Sequence, residues 1–362
     1  MPELDLPHRK GGHCGSSAVR DLLEYHRLSY SDRPLTEGTV FGLAGALAFA
    51  FADDVVPPDN PDIDVPFYMN GRSEGLESDV CTHLGIALDR RETDDPELGW
   101  AWVRDEVDAG RPTMVWANMK RLDYQRVRMD NTRHDVVVTG YDEAAGTASV
   151  ADHDFDELQT TSLDSLAAAR SEFAFPVPPR HTTWVMRFPE ELPPLREAVE
   201  AGLRRAVATM REPEQRIWSI LDGAIEHPYH QGLRGVEALA ESYARWPEKY
   251  GERLKRTMKL LYVLIERAGT GGAYYRAFHA TFLEEAAELL GDERLRATGA
   301  IYRELADAYH ALAETVRVRA GEDPLEAHRA GLARMDRVRE LEESGTRAME
   351  AWLAGAARPV AA

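Results

Sequence analysis

His134-Asp135-Val136-Val137-Val138-Thr139-Gly140-Tyr141, then Asp142-Glu143-Ala144-Ala145-Gly146, then Thr147-Ala148-Ser149-Val150-Ala151-Asp152 reads as two strands and the turn between them. The first part is a β-branched run opened by a histidine, the pattern of a buried strand, and the middle has the small and polar residues of a hairpin loop. Antiparallel strands joined this way bring the start of the first beside the end of the second. With a five-residue loop over 142–146, Tyr141 faces Thr147 and His134 faces residue 154, so Asp152 shares a face with His134, one diagonal step away. A four-residue loop slips the register by one and sends Asp152 to the other face, because strand side chains alternate with period two. Both registers stay open at this point.

Far upstream, Gly11-Gly12-His13-Cys14-Gly15-Ser16-Ser17-Ala18 runs into Val19-Arg20-Asp21-Leu22-Leu23-Glu24-Tyr25. Ala18, Val19, Leu22 and Leu23 recur at helical spacing, which puts Cys14 at or just before a first helical turn. Unpaired N–H groups and the helix dipole stabilise a thiolate there, and the thiolate is the nucleophilic form. Glycines on both sides leave room for a carbonyl to approach the sulfur. The alternative for a lone cysteine is a small buried apolar filler. Beside the hairpin, the nucleophile is the better reading. A reactive cysteine needs an imidazole to take and return its proton, and the imidazole needs an acceptor that fixes its tautomer. Cys14, His134 and Asp152 are of the right types, in the chain order of papain-like enzymes.

A chain of 362 residues is long enough for two domains with their own cores. Cys14 and Cys81 make no disulfide framework, and Cys81 sits in the amphipathic stretch 76–85 as a buried structural thiol would. The formal charge is −19 and the lysines are few (Lys10, Lys120, Lys249, Lys255, Lys259). That balance excludes nucleic acid as the expected partner, since its phosphates would be repelled. It suits a basic small molecule such as a polyamine or aminosugar, or else reflects a salt-rich or high-GC source. The N-terminus lacks a signal peptide's basic start and apolar core, and no apolar run is long enough to span a membrane. The expectation is a cytoplasmic protein with no membrane partner.

The chain divides into residues 1–188, which mix helix and strand patterns, and residues 189–362, which are helical nearly to the end. Phe175-Pro176-Val177-Pro178-Pro179-Arg180 marks a break, Thr182-Thr183-Trp184-Val185-Met186-Arg187-Phe188 a last strand, and Pro189-Glu190-Glu191-Leu192-Pro193-Pro194 the junction. Helical periodicity then covers 195–210, 236–246, 252–268, 275–290 and 292–317. Gly269-Thr270-Gly271-Gly272 reads as a helix C-cap and tight turn rather than a phosphate loop, because no Lys-Ser/Thr follows it. His227-Pro228-Tyr229-His230 and the acidic run from Asp152 to Glu157 invite a metal reading. The first pair is more simply solvated and the run lacks the glycine of an EF-hand loop, so neither metal nor cofactor is expected.

Residues 11 to 175 resemble the N-terminal domain of the butirosin-type acyltransferase family. The resemblance rests on Gly12-His13-Cys14, Val40-Phe41-Gly42-Leu43-Ala44-Gly45-Ala46-Leu47-Ala48-Phe49, Gly110-Arg111-Pro112-Thr113-Met114-Val115, His134 with 136–142, and Val150-Ala151-Asp152. Arg267-Ala268-Gly269-Thr270-Gly271-Gly272 and Arg276-Ala277-Phe278-His279-Ala280-Thr281-Phe282-Leu283 are similar to the helical domain that follows it. The resemblance implies an α+β chain, with a papain-like cysteine domain built on an antiparallel sheet and then an all-α domain. It implies an acyl group arriving as a thioester on an acyl carrier protein or similar donor, passing to Cys14, and leaving on an amine acceptor. Cys14 is then the nucleophile, His134 the general base and acid, and Asp152 the orienting carboxylate.

No glutamine precedes Cys14 to act as an oxyanion donor, so the N–H of Cys14 or Gly15 is expected to serve, with His13 or a distant side chain as second donor; one such donor is worth about 3 kcal/mol. An acidic chain needs a local basic patch to meet an acidic carrier, such as Arg196, Arg204 and Arg205 or Arg253, Lys255 and Arg256. Trp100, Trp102, Trp116, Tyr124 and Tyr141 are candidates for an acyl pocket, and Asn118 and Asp123 for polar substrate contacts. Asp123 or Asp154 is the expected holder of the acceptor ammonium. The alternatives are a cysteine peptidase or amidase with the same triad, and a catalytically idle binding protein.

Overall fold

The computed structural model describes residues 3–55, 65–127, 131–172, 177–211 and 229–356. Part of the break at 175–180 and His227-Pro228 of the loop considered for a metal lie outside them. In chain order the elements are α1 (Cys14–Tyr25), α2 (Glu37–Leu43), β1 (Leu47–Val55), β2 (Val65–Arg72), α3 (Leu76–His83), β3 (Ala87–Arg91), α4 (Pro96–Asp108), β4 (Thr113–Ala117), β5 (His134–Asp142), β6 (Thr147–Ala151), β7 (Gln159–Ser162), α5 (Leu163–Ser171) and β8 (Thr183–Arg187). They continue as α6 (Leu195–Arg211), β9 (His230–Gln231), α7 (Gly232–Ala244), α8 (Trp246–Tyr250), α9 (Leu254–Glu266), α10 (Arg276–Leu290), α11 (Glu293–Val316) and α12 (Pro324–Ala356).

Two compact units result. The first comprises Met1–Glu37 and Val80–Pro193. Its sheet is antiparallel throughout, in the order β3-β8-β4-β5-β6-β7. β4 is buried along its whole length and β5 from His134 to Gly140, which is why these central strands read as nearly unbroken apolar runs. Val103 and Val107 of α4 and Leu166 and Ala169 of α5 close over Val115, Val136, Val138 and Val150. Burying each such side chain is worth about 1.5–3 kcal/mol, so the strands that carry His134 and Asp152 are firmly held. α4 starts where Asp95 accepts from the N–H groups of Glu97 and Leu98, with Pro96 at the first helical position. Cys14 and Cys81 are both buried and are not joined in a disulfide.

The second unit comprises Gly38–Asp79 and Pro194–Ala362. Its sheet has the order β2-β1-β9, and α6 and α7 pack on β1. Arg276 and Glu342, both fully buried, pair at 2.8 Å between Nε and Oε1, and the Tyr309 hydroxyl donates to the same Oε1 at 2.6 Å. The Gly269–Gly272 loop does more than cap a helix. Positive φ runs on through Ala273 (47°), Tyr274 (52°) and Tyr275 (67°), a left-handed turn that costs non-glycine residues about 1–2 kcal/mol each. Burial of both tyrosines and an Arg276 Nη1 bond to the Tyr274 carbonyl at 2.9 Å offset that strain. No helix among the described residues is long and apolar enough to cross a membrane.

Two expectations are corrected. A single cut between 188 and 189 does not describe the packing, because residues 38–79 group with the C-terminal half. The helical region is also not all-α: β9 lies within it and pairs Gln231 with Ala50 and His230 with Phe51. The cause is common to both, since β1 finds β9 far along the chain and a pairing that distant leaves no local pattern.

Candidate active site

The β5–β6 hairpin reaches the required register by a route that neither simple loop length describes. Asp142 pairs with Thr147, so the turn holds four residues, and Tyr141 pairs with Ala148 and Gly140 with Ser149. Carried on unchanged, that register would put Asp152 on the wrong face. A bulge between Val138 and Gly140 absorbs one residue, and from there Val138 faces Val150 and Val137 faces Ala151. This is the register of the five-residue loop, restored at the end of the hairpin that matters. The edge of the bulge is tied down by Leu4, whose N–H donates to the Thr139 carbonyl at 2.9 Å. His134 Nε2 and Asp152 Oδ2 then lie 2.8 Å apart, both buried.

Cys14 is the first residue of α1, as its spacing predicts. His13 is the N-cap, and its Nδ1 accepts from the Ser16 N–H at 3.2 Å. Glu37 holds the approach to the helix: its carboxylate accepts from the N–H of Gly12 (2.9 Å), the N–H of His13 (2.7 Å) and the Ser16 hydroxyl (2.9 Å). Of the N–H groups at the helix start, those of His13 and Ser16 are thereby used. The His13 ring, expected as a second oxyanion donor, has its Nδ1 committed to the cap.

The sulfur sits among three groups. It lies 3.5 Å from Asp135 Oδ2 and 3.9 Å from the Arg133 carbonyl oxygen, with the His134 imidazole near enough to favour its charged form. Because Nε2 of His134 is engaged by Asp152, Nδ1 is the nitrogen left for the sulfur. Burial and the Asp135 carboxylate push the Cys14 thiol up, with His134 opposing them. The lowered thiol expected of a helix start is thus outweighed. Burial pushes the His134 imidazole down, but the Asp152 carboxylate, by charge and hydrogen bond, and the Cys14 sulfur hold it well above the usual histidine range. Against its own burial, Asp152 is held far below the carboxylate range by His134 and His153.

The other candidates divide. Tyr124 reaches the site, but as a donor to Asp152 Oδ2 at 2.9 Å, joined there by Gln125 Nε2 at 3.0 Å. Asn118 caps a short turn, its Oδ1 accepting from the Lys120 N–H at 3.1 Å. Asp123 fastens that loop to the start of α5 by accepting from the N–H (3.0 Å) and hydroxyl (2.8 Å) of Ser162. Both are turn-forming residues. Trp116 stacks edge-on with Trp184 under Arg90 and Arg133, and Trp100 packs on Tyr141. Of the two patches considered for a carrier, the first has acidic neighbours: Arg196 with Asp292, Arg204 with Glu200, Arg205 with Asp79.

Glu37, Asp135 and Gln125 were not singled out from sequence, and His153 only as part of the run 152–157 weighed for a metal. His153 Nδ1 is 3.3 Å from Asp152 Oδ1, and with His134 and Asp152 it offers ligand-type atoms all within 4.8 Å of one another. Those three could hold a metal ion, but the close Nε2–Oδ2 bond is what a proton-handling pair requires.

Residues 13–153 match the family model described as butirosin biosynthesis protein H, N-terminal, and residues 164–350 match a domain of unknown function, DUF4872. No curated protein matches the chain. Over more than half of its length the chain belongs to the DUF4872 family, and the segment before it, 13–153, is the one that matches the butirosin biosynthesis protein H N-terminal model.

Proposed function

We propose that the protein is a cysteine-dependent acyltransferase with a papain-like first unit, acting in the biosynthesis of a specialised metabolite. It takes an acyl group from a thioester, on an acyl carrier protein or a similar donor, and passes it to an amine. The observation that carries this reading is a single imidazole bonded at Nε2 to a buried carboxylate, beside the sulfur of a cysteine that opens a helix.

The Cys14 thiol releases its proton to solvent, the thiolate beside the charged His134 imidazole attacks the thioester carbonyl, and the N–H groups of Cys14 and Gly15 receive the oxyanion. As the C–S bond to the donor breaks, His134 gives its proton to the departing thiol, leaving the acyl group on Cys14 and a neutral imidazole. Asp152 holds the ring in place and favours its charged form, and Tyr124 and Gln125 hold Asp152. An amine then attacks the new thioester, the amide leaves, and the thiol is restored.

The test is to incubate the protein with N-acetylcysteamine thioesters and a diamine and to quantify amide and free acid. Amide formed by the wild type and not by Cys14→Ser supports transfer. Free acid alone, still dependent on Cys14, would make it a hydrolase of the same chemistry. Neither product would remove both readings.

A further inference from the structure

We propose that His134, Asp152 and His153 form a zinc site, and that an ion bound there turns the catalytic pair off by occupying Nε2 of His134. The binding rests on the geometry of the three side chains alone. The loss of activity rests on the acyl-transfer reading above.

His153 is a buried imidazole that acyl transfer leaves without a task. Its side chain is 10% exposed, and its Nδ1 is buried 3.3 Å from Asp152 Oδ1 without the alignment of a hydrogen bond. Burying a polar nitrogen unsatisfied is costly, and a metal ion is a partner that would satisfy it. Nε2 of His134 meets the same carboxylate at 2.8 Å, and the two rings lie 5.3 Å apart between centroids. One ligand-type atom from each of the three residues falls within 4.8 Å of the other two. Two imidazole nitrogens and a carboxylate suit zinc, whereas calcium and magnesium take oxygen ligands. With bonds of about 2.0–2.2 Å, neighbouring ligand atoms of a tetrahedral zinc site stand about 3.3–3.6 Å apart. His153 Nδ1 and Asp152 Oδ1 already have that spacing. His134 Nε2 has only to withdraw from Asp152 by about half an ångström, and water fills the fourth position.

The surroundings hold the ligands in place. The Asp152 carbonyl accepts from the Phe155 N–H at 3.0 Å, its Oδ1 from the Asp154 N–H at 3.2 Å, and the His153 carbonyl from the Gly11 N–H at 2.9 Å. Asp154 bonds Gln125 Nε2 at 3.1 Å and stands 3.7 Å from His153 Nε2, a carboxylate behind the ring such as ligating histidines commonly have. The Arg133 guanidinium lies over the Trp116 ring, 4.8 Å from its centroid. On binding, zinc replaces the proton on His134 Nε2, which leaves to solvent. The ring then keeps its Nδ1 hydrogen beside the sulfur and has no lone pair to accept a proton from an attacking amine. A zinc-bound neutral ring also gives up that hydrogen less readily than an imidazolium does, so both proton transfers of the cycle are blocked.

The experiment titrates chelator-treated full-length protein with Co²⁺, a coloured stand-in, and then displaces it with Zn²⁺. The expected result is visible Co²⁺ absorption that saturates at one equivalent, with no thiolate charge-transfer band in the near ultraviolet. It should persist in Cys14→Ala, and His153→Asn should weaken binding about tenfold or more. Histidine-selective NMR labelling reads the ligands without that variant: Zn²⁺ should move the ring signals of His134 and His153 and leave that of His181 unmoved. In the activity arm, saturating Zn²⁺ should slow acylation of Cys14 by an N-acetylcysteamine thioester about a hundredfold or more, and EDTA should restore it. No saturable band, a thiolate band, unmoved His153 signals or equal affinity in His153→Asn would each overturn the site. Bound zinc with undiminished acylation would overturn the switch. A metal-free wild type that is never acylated would overturn the acyl-transfer reading and leave the binding result standing.

Discussion

His134 in the first unit and His279 in the second are both buried, yet their imidazoles are held in opposite protonation states. His134 has the Asp152 carboxylate on Nε2 and is held well above the usual range. His279 meets the Met349 sulfur at 3.3 Å and the edge of Tyr302, and burial followed by the Arg276 charge pushes it down to about 3. Burial is common to both, so the neighbouring charge decides the state. An imidazole held charged beside a sulfur serves proton transfer, whereas one kept neutral against a thioether and a tyrosine ring serves packing.

The largest effect is expected from removing the charge that sets the first histidine. Asp152→Asn should let the His134 value fall in an NMR titration and lower acyl transfer about 10²- to 10⁴-fold, through loss of ring orientation and of charge stabilisation. In the second unit, Arg276→Met strands Glu342 without its cation and should cost about 3–5 kcal/mol in denaturant unfolding. Adding Glu342→Leu should recover much of that loss, since an apolar pair of similar volume replaces the ions.

The two histidines should also differ in how they couple stability to pH. The folded value of His279 lies below its free value of 6.5, so its contribution is full above pH 6.5 and is lost as pH falls toward about 3. The slope is at most about 1.4 kcal/mol per pH unit. His134 is raised, so its contribution is full below pH 6.5 and is lost only as pH rises through the higher folded value. Asp152 is depressed, so its contribution is full above pH 3.8 and is lost as pH falls beneath that. Between pH 3.8 and 6.5 the first pair is therefore unchanged while His279 weakens the fold. His279→Phe should flatten the acid limb of a stability-versus-pH curve by that slope. The smallest effect is expected at the support of the triad: Tyr124→Phe removes one of several bonds to Asp152 and should slow transfer about tenfold or less, near 1 kcal/mol.

Much of this was legible in the sequence, and the rest was hidden for definable reasons. The helix that opens at Cys14 follows from apolar spacing, and the β5 strand from its valine run. The partnership of His134 with Asp152 was legible only as one of two registers. The bulge that settles it depends on how the strand ends are held, and Leu4 supplies part of that from the far end of the unit. Glu37 and Asp135 were invisible because an acid beside a helix or in a strand is the commonest of surface residues, and only tertiary packing buries them. The membership of 38–79 in the second unit was hidden in the same way, since β1 pairs with β9 across half of the chain.

The central claim is that Cys14 becomes acylated, and intact-mass spectrometry of the protein with a panel of N-acetylcysteamine thioesters tests it most directly. The account predicts a mass gain equal to one acyl group on the wild type, mapped to Cys14 and absent from Cys14→Ala. A wild type that gains no mass, or a gain that survives in Cys14→Ala, would contradict it.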